Sequence, residues 1–227
     1  MELEIVYQDE FFVAINKPHG LLVHRTKLAL DADVFALQLL RNQLSQQVSP
    51  CHRIDRKTSG VLLFALNDDA DRKMKALFAN GETTKTYLSI VRGFTATSGI
   101  IDYALKKENG NSQEAITEYK TLQQTEIDLP VGKHPTSRYS FVEAYPKTGR
   151  MHQIRKHFAH IHHPIIGDRP HGCNKQNKLF KEKWGMDSMM LHANCLEFKH
   201  PITQIPIKIN APLSTEFERT KKLLNFS

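Results

Sequence analysis

Short apolar segments of strand length dominate the hydrophobic pattern of this chain. The most apolar of them, residues 61–66, directly follows Gly60, which predicts a buried strand that begins at a turn. Other segments alternate apolar with polar residues or are rich in β-branched residues, as strands with one buried face are. These further predicted strands are residues 3–7, 11–15, 84–91, 100–105, 115–123, 138–145, 190–198 and 205–209.

Helical patterns occupy only four segments. They are residues 33–46 with Asp33 as the cap, residues 67–78 capped by Asn67 or Asp68 and ended by Asn80 and Gly81, residues 151–161, and a C-terminal helix from Ser214. Residues 169–187 are polar and basic around Trp184, and we expect an irregular insertion there that could touch a partner. Because helices do not alternate regularly with strands, we predict an α+β fold with a large mixed or antiparallel sheet, not a doubly wound parallel one.

The charge balance of the chain says more about its partner than about its fold. The 227 residues include 31 Lys and Arg against 24 Asp and Glu, so the formal net charge is +7. A basic protein of this kind favours nucleic acid, with an anionic membrane surface as the second candidate. The sequence has no basic amphipathic helix to support the second candidate and no apolar segment of spanning length, so we predict no membrane partner.

Cysteine usage and the N-terminus both favour the cytoplasm. The three cysteines, Cys51, Cys173 and Cys195, are scattered and odd in number, which argues against a disulfide framework and for a reducing compartment. The first ten residues, MELEIVYQDE, are acidic and lack the long apolar segment of a signal peptide. We therefore expect a cytoplasmic protein, and its length fits one large domain or two small ones.

The most distinctive charged segment comes just before the apolar run. Asp55 lies among Arg53, Arg56 and Lys57, and nearby positive charge favours the ionised form of a carboxylate. If residues 52–55 are extended, Arg53 and Asp55 share one side of the chain, because side chains alternate along a strand. Such a carboxylate could act as nucleophile or base towards an anionic partner. On spacing alone, a solvated turn with weak surface ion pairs is the commoner outcome.

A wider set of motifs favours a catalytic role for Asp55 over a solvated turn. Residues 52–60, HRIDRKTSG, resemble the catalytic signature HRLDxxTSG of the RluA-type family of pseudouridine synthases, with Ile54 in place of Leu. Further segments match the family in the same order along the chain. They are NKPHGLLVH at 16–24, KTY at 85–87, KTGRMHQIRKH at 147–157, HPIIGD at 163–168, and LHA followed by HP within 191–201.

The resemblance covers nearly the whole chain and implies a fold. It implies the pseudouridine synthase catalytic fold, a mixed and largely antiparallel sheet with flanking helices and a central cleft. It also implies a single catalytic domain over residues 1–227, without the separate N-terminal RNA-binding module that many members carry.

Catalytic roles for three residues follow from the resemblance. Asp55 matches the catalytic aspartate, Tyr87 the aromatic residue that stacks on the target uracil, and Arg155 the arginine that pairs with the aspartate. Because the isomerisation of uridine to pseudouridine involves no redox change, we expect no cofactor. Without the resemblance, Tyr87 would be read as a core strand aromatic and Arg155 as an exposed helix residue.

RNA contacts are predicted from the same motifs and from charge. Arg53 matches the residue that fills the space left by the flipped base, although a phosphate contact would also suit it. Further candidate RNA contacts are Lys17, Arg25, Lys85, Arg150, His152 and Lys156. The histidines between 152 and 171 show neither HExxH nor paired CxxC spacing, so we predict no metal site.

Three local segments indicate which RNA is modified. PTSRYSFVE at 135–143, HIHHPIIGDRPHG at 160–172 and NKQNK at 174–178 are similar to the family members that modify uridine 65 of tRNA. We therefore expect a monomer that isomerises uridine in tRNA without a protein partner. The alternatives are a ribosomal RNA pseudouridine synthase of the same family and, in a different class, an RNA-binding or folding module without turnover.

Overall fold

Twelve strands and five helices are formed by the described part of the chain, which in this computed structural model comprises residues 1–24, 34–107 and 109–227. The strands are β1 (Ile5–Gln8), β2 (Phe12–Lys17), β3 (Ser49–Pro50), β4 (Ser59–Ala65), β5 (Thr83–Arg92), β6 (Ser98–Asp102), β7 (Leu105–Lys106), β8 (Ser112–Gln113), β9 (Ile116–Ile127), β10 (Ser137–Pro146), β11 (Leu191–Lys199) and β12 (Pro206–Asn210). The helices are α1 (Ala36–Leu44), α2 (Asp68–Asn80), α3 (Gln153–His160), α4 (Asn174–Trp184) and α5 (Thr215–Leu223).

These elements belong to two compact units. The first unit contains residues 1–85 and 193–213, and the second contains residues 86–192 and 214–227. Strand pairing is largely antiparallel, for example between β2 and β4 and between β9 and β10, and a parallel bridge joins Leu22 to Phe35. The predicted α+β class with largely antiparallel strands is confirmed, whereas the central cleft stays a prediction.

Strand β4 lies at the centre of the first unit, and each of its residues is buried. The spatial order is β1-β2-β4-β11-β12, and β3 also pairs with β4. Side chains of β4 alternate between two cores: Leu63 packs in one cluster with Met74 of α2, and Leu62 packs in another with Leu40 of α1. Burial on both faces requires apolar side chains on both, which is why this segment reads as a continuous apolar run.

Helix α2 has the end signals that the sequence predicts. The Asn67 side chain accepts a hydrogen bond from the Ala70 N–H at 2.9 Å and caps the first turn. Gly81 follows the helix with a φ of 74°, a left-handed conformation that favours glycine. Helix α1 begins at Ala36, later than predicted, and the expected cap Asp33 lies outside the described residues. No helix in the described part of the chain is long and apolar enough to cross a membrane.

The second unit is built on antiparallel strands in the order β5-β10-β9-β6. Tyr139 and Phe141 of β10 are two residues apart and therefore face the same side of the sheet. The Tyr139 ring meets Phe180 of α4 at 5.6 Å between centroids, and the Phe141 ring meets Phe217 of α5 at 6.3 Å. Aromatic contacts thus hold α4 and α5 on one face of β10.

The predicted irregular insertion at 169–187 is wrong, because most of it forms helix α4. The buried positions of this helix are Gln176 and Phe180, with Trp184 packed edge-to-face on Phe180. Gln176 and Phe180 are four residues apart, and the Gln176 side chain accepts a hydrogen bond from the Tyr139 hydroxyl at 2.7 Å. A polar residue therefore fills a core position, so the apolar stripe that signals a helix is too sparse to recognise.

Other predicted strands are present with boundaries shifted by a few residues. Strand β9 ends at Ile127, past the predicted end at 123, and its side chains alternate between half-buried and exposed positions in that extension. The segment between β6 and β9 contains the short antiparallel hairpin of β7 and β8.

We expect Gly60→Ala to destabilise the protein far more than Gly81→Ala. Both glycines have positive φ, +108° and +74°, so alanine is strained at either position, at a cost of about 1–2 kcal/mol. At Gly60 the added methyl would also overlap the backbone carbonyl of Ala193 in β11, which adds about 1–3 kcal/mol, whereas at Gly81 it meets nothing within 4 Å. Urea unfolding measures the difference, and equal midpoints would contradict the close approach of β4 and β11.

Candidate active site

The Asp55 segment lies immediately before the buried strand β4, as predicted. Ile54 is buried, Arg53 is exposed and Asp55 is half-buried, which is the alternation of an extended chain. The Thr58 N–H donates to the Asp55 carbonyl at 3.0 Å, so a tight turn follows the aspartate. The carboxylate is therefore carried by a short extended segment between a turn and a core strand.

His52 fixes this segment to β4. Its Nε2 accepts a hydrogen bond from the Leu63 N–H at 3.1 Å, and its ring packs on Phe78 with centroids 4.8 Å apart. Loss of water contact, together with the positive charge of Lys85, lowers the pKa of His52 to about 3. The imidazole is therefore neutral at physiological pH and serves as a fixed acceptor, a role that the sequence motif alone does not reveal.

Lys17 lies beneath the same segment and is fully buried, which contradicts its predicted contact with phosphate. Its Nζ donates to the carbonyls of Pro18 at 2.9 Å, Leu21 at 2.8 Å and Arg56 at 3.1 Å. An ammonium has three donors, and each of them meets a backbone acceptor here. Lys17 therefore joins the turn after β2 to the residue that follows Asp55.

Two effects change the pKa of Lys17 in opposite directions. Burial lowers the pKa of Lys17 to about 7, and the negative charge of Asp55 opposes that shift. The backbone strengthens the connection, because Gly20 and Arg56 exchange hydrogen bonds: the Gly20 N–H donates to the Arg56 carbonyl at 2.9 Å, and the Arg56 Nε donates to the Gly20 carbonyl at 3.0 Å.

Other predicted residues lie on or near β5. Tyr87 is half-buried on this strand, opposite Ala144 of β10. Lys85 is half-buried, and its pKa is lowered by burial. Arg25, a further predicted RNA contact, lies outside the described residues.

Arg155 is held by an aspartate that sequence reasoning did not assign. It is only 4% exposed, and its guanidinium meets the buried Asp168 in a bidentate pair, with Nε to Oδ2 at 2.9 Å and Nη2 to Oδ1 at 2.8 Å. Such a pair fixes the plane of the guanidinium as well as its position. Asp168 is the last residue of the HPIIGD motif, so the motif match was the available signal. The exposed helix alternative for Arg155 is wrong.

The start of α3 is organised by a buried glutamine. His152 occupies the cap position with a φ of 58°, and Gln153 follows it. The Gln153 Oε1 accepts from the Arg150 N–H at 3.0 Å, and its Nε2 donates to the Ile116 carbonyl at 2.9 Å. Helix α3 is thereby anchored to the start of β9, and this fixes the direction in which Arg155 projects.

The remaining predicted RNA contacts lie on α3 or at its entry. Arg150 is exposed and donates through Nε to the Glu114 carbonyl at 2.9 Å. Lys156 is half-buried, and His152 Nδ1 lies 3.0 Å from His171 Nε2. Their contacts with RNA stay predictions, as does the pairing of Arg155 with Asp55. Within the described residues, His, Cys, Asp and Glu side chains form no group of three or more that could hold a metal ion.

Comparison with known proteins identifies the family to which this chain belongs. The family model described as RNA pseudouridylate synthase matches residues 11–160, about two thirds of the chain. The chain belongs to this family. The matched region contains Lys17, Asp55, Tyr87 and Arg155, whereas Asp168 lies outside it. The protein is therefore a pseudouridine synthase, and the expected resemblance is confirmed.

Full-length relatives of this synthase carry a more specific name. Proteins named tRNA pseudouridine synthase C from Vibrio parahaemolyticus and Haemophilus ducreyi are 45% and 46% identical to it over 230 and 228 residues. Each alignment covers 96% of this chain and 94% of the relative. The counterpart of Vibrio vulnificus is 46% identical over 228 residues, covering 96% of this chain and 93% of the relative.

Solved structures support the fold of the synthase. Human RNA Pseudouridylate Synthase Domain Containing 1 superposes with a TM-score of 0.75 at 23% identity, covering 100% of this chain and 96% of the human chain. Human RNA Pseudouridylate Synthase Domain Containing 4 gives 0.74 at 23% identity, covering 98% and 93%. The predicted pseudouridine synthase fold is confirmed.

We expect Asp168→Asn to destabilise the synthase by about 3–5 kcal/mol, because it leaves the buried Arg155 charge without its carboxylate. The matched control is Asp187→Asn, since Asp187 is exposed and its ion pair with Arg169 is at the surface. A surface change of this kind costs less than about 0.5 kcal/mol. Urea denaturation of both variants tests the expectation, and similar midpoints would show that the buried pair contributes little.

Proposed function

We propose that this synthase isomerises uridine 65 of tRNA to pseudouridine, with Asp55 as the catalytic carboxylate. The observation that supports the substrate most strongly is identity of 45–46% over 96% of the chain to proteins named tRNA pseudouridine synthase C. Asp55 is supported by its position in HRIDRKTSG and by the fixed, half-buried segment that carries it. We further propose that the protein acts as a monomer in the cytoplasm.

The reaction needs an ionised group rather than a redox centre. The bond between uracil N1 and the sugar carbon breaks, the base turns, and a new bond forms from uracil C5 to the same sugar carbon. The C5 proton is lost and N1 gains a proton, so atoms and electrons balance without a cofactor. In this proposal Asp55 supplies the carboxylate that acts as nucleophile or base, and the buried Lys17 holds the segment that carries it through the Arg56 carbonyl.

The other catalytic residues position that carboxylate and the base. In this proposal Arg155 pairs with Asp55 while Asp168 holds the guanidinium from its own unit. Arg155 has five N–H donors, so bonding Asp168 through two of them is compatible with a second carboxylate. Tyr87 stacks on the target uracil, which is worth about 1–3 kcal/mol for a base on an aromatic ring.

Extraction of the target uridine requires groups that hold the RNA around it. Uridine 65 must leave its stack before the chemistry, and in this proposal the planar guanidinium of the exposed Arg53 fills the vacated space. Lys85, Arg150, His152 and Lys156 contribute contacts to the RNA backbone in this proposal. Lys17 does not, because its ammonium is already surrounded by carbonyls.

We expect Asp55→Asn to lose roughly 10³-fold or more of the turnover of unmodified tRNA, because the amide cannot act as nucleophile or base. Affinity for tRNA should stay within a few-fold of wild type, since the amide keeps the shape of the side chain. Tritium release from tRNA labelled at uridine C5 measures turnover, and filter binding measures affinity. The exposed loop residue Asp128, changed to Asn, is the control. A variant that loses Asp55 but keeps its turnover would remove the carboxylate from the mechanism.

We expect the purified protein to modify one position in tRNA transcripts, uridine 65, and replacement of that uridine by cytidine to abolish product. Carbodiimide labelling followed by primer extension maps the modified site. Profiling RNA from a strain without the gene should show the mark lost from tRNA and unchanged in ribosomal RNA. The reverse pattern would establish the ribosomal alternative, and binding without any product would establish the non-catalytic module.

A further inference from the structure

An open pocket of about 400 Å³ lies in the second unit between the β7–β8 hairpin and α3. Its lining residues are Tyr103, Ala104, Leu105, Lys106, Ser112 and Lys156. The volume is at the lower end of the range for small-molecule sites and is suited to a single nucleotide. Of these six residues, only Lys156 has a role in the proposed chemistry or RNA binding described above.

The aromatic residue of this pocket is held in place. The Tyr103 ring stacks on the His160 ring with centroids 3.6 Å apart and planes inclined by 15°. The Tyr103 carbonyl lies 3.1 Å from His157 Nε2, and the Tyr103 N–H donates to the Ala115 carbonyl at 3.2 Å. Tyr103 nevertheless remains 43% exposed, so a large aromatic surface is fixed in orientation and accessible to solvent. A fixed ring of this kind is a suitable platform for a nucleobase.

Positive charge lies beside the aromatic ring. Lys106 comes from β7 and Lys156 from α3, so the two ammonium groups reach the pocket from different elements. The backbone N–H groups of Lys107 and Gly110 close the adjoining turn, with the first donating to the Asn111 carbonyl at 2.8 Å and the second to the Lys107 carbonyl at 3.0 Å. Backbone hydrogen bonds thus join the two sides of the hairpin that carries Lys106, and two ammonium groups in one pocket attract a phosphate.

We propose that this pocket holds one nucleotide of the bound RNA other than the target uridine, with its base on Tyr103 and its phosphate between Lys106 and Lys156. This proposal rests on the proposed RNA substrate but not on the identity of the catalytic carboxylate. A double-stranded RNA offers no exposed base face, so the occupant is an unpaired nucleotide from a loop, an end or a locally opened stem. On α3, Lys156 is the neighbour of Arg155, and one short helix thus contributes to both the buried pair and the pocket.

Equilibrium binding of an unmodified tRNA transcript tests the proposal through two separate signatures. Tyr103→Leu should weaken binding by about 5- to 150-fold, the range for loss of one base–aromatic stack, and leave the salt dependence unchanged. Lys106→Gln should weaken binding about fivefold and reduce the slope of log Kd against log salt by about 0.7–0.9, as expected for loss of one phosphate contact. Fluorescence anisotropy at several KCl concentrations gives both quantities.

A matched control separates an effect of the pocket from the effect of removing any one positive charge from the surface. Lys208→Gln removes an exposed lysine of β12 that pairs with Glu197 at 2.7 Å, and it should leave both affinity and slope as in wild type. If both Tyr103→Leu and Lys106→Gln keep the affinity and slope of wild type and still convert uridine in tRNA to pseudouridine, the pocket does not hold a nucleotide. The proposed tRNA substrate would be unaffected by that result. If wild type modifies ribosomal RNA instead, the substrate proposal fails, and the same measurements on that RNA decide whether the pocket holds a nucleotide.

Discussion

A buried ammonium underlies the arrangement of the first unit. Lys17 donates to three carbonyls from two separate segments, the turn after β2 and the residue after Asp55. Burying a charge is costly unless it is fully hydrogen-bonded, and three donors with three acceptors meet that condition. The same contacts that offset the cost of burial also fix the segment that carries Asp55. A surface lysine could not do this, because water would compete for each bond.

The second unit uses a related arrangement with a different pair of groups. Arg155 and Asp168 are both buried and meet through two parallel hydrogen bonds. A buried pair adds little net stability compared with apolar packing, but it fixes the direction of a charged group with high precision. In both units, therefore, a charged residue to which the sequence assigns a functional role is also a structural element. Its own position is set before any RNA is bound.

The sequence predicted those features that depend on local patterns. The continuous apolar run of β4, the Asn67 cap and the Gly81 end of α2 are all set by residues close in the chain. Features that depend on distant contacts were missed. Helix α4 was missed because Gln176 replaces an apolar residue and satisfies its polarity through Tyr139, and Asp168 because its partner lies 13 residues away. Lys17 was assigned to RNA because a sequence shows the charge of a residue and not its burial.

The distinction between buried and exposed charge changes how the basic composition should be interpreted. A formal charge of +7 counts Lys17 and Arg155 equally with every surface lysine, although both are committed to internal partners. Only groups that can exchange their counterions for RNA phosphates contribute to the salt dependence of binding. Helix α3 shows the difference between adjacent residues, since Arg155 bonds Asp168 while Lys156 lines an open pocket. Affinity for RNA must therefore come from specific exposed sites, and an unpaired nucleotide seated beside Tyr103 would give such a site a selectivity that charge alone lacks.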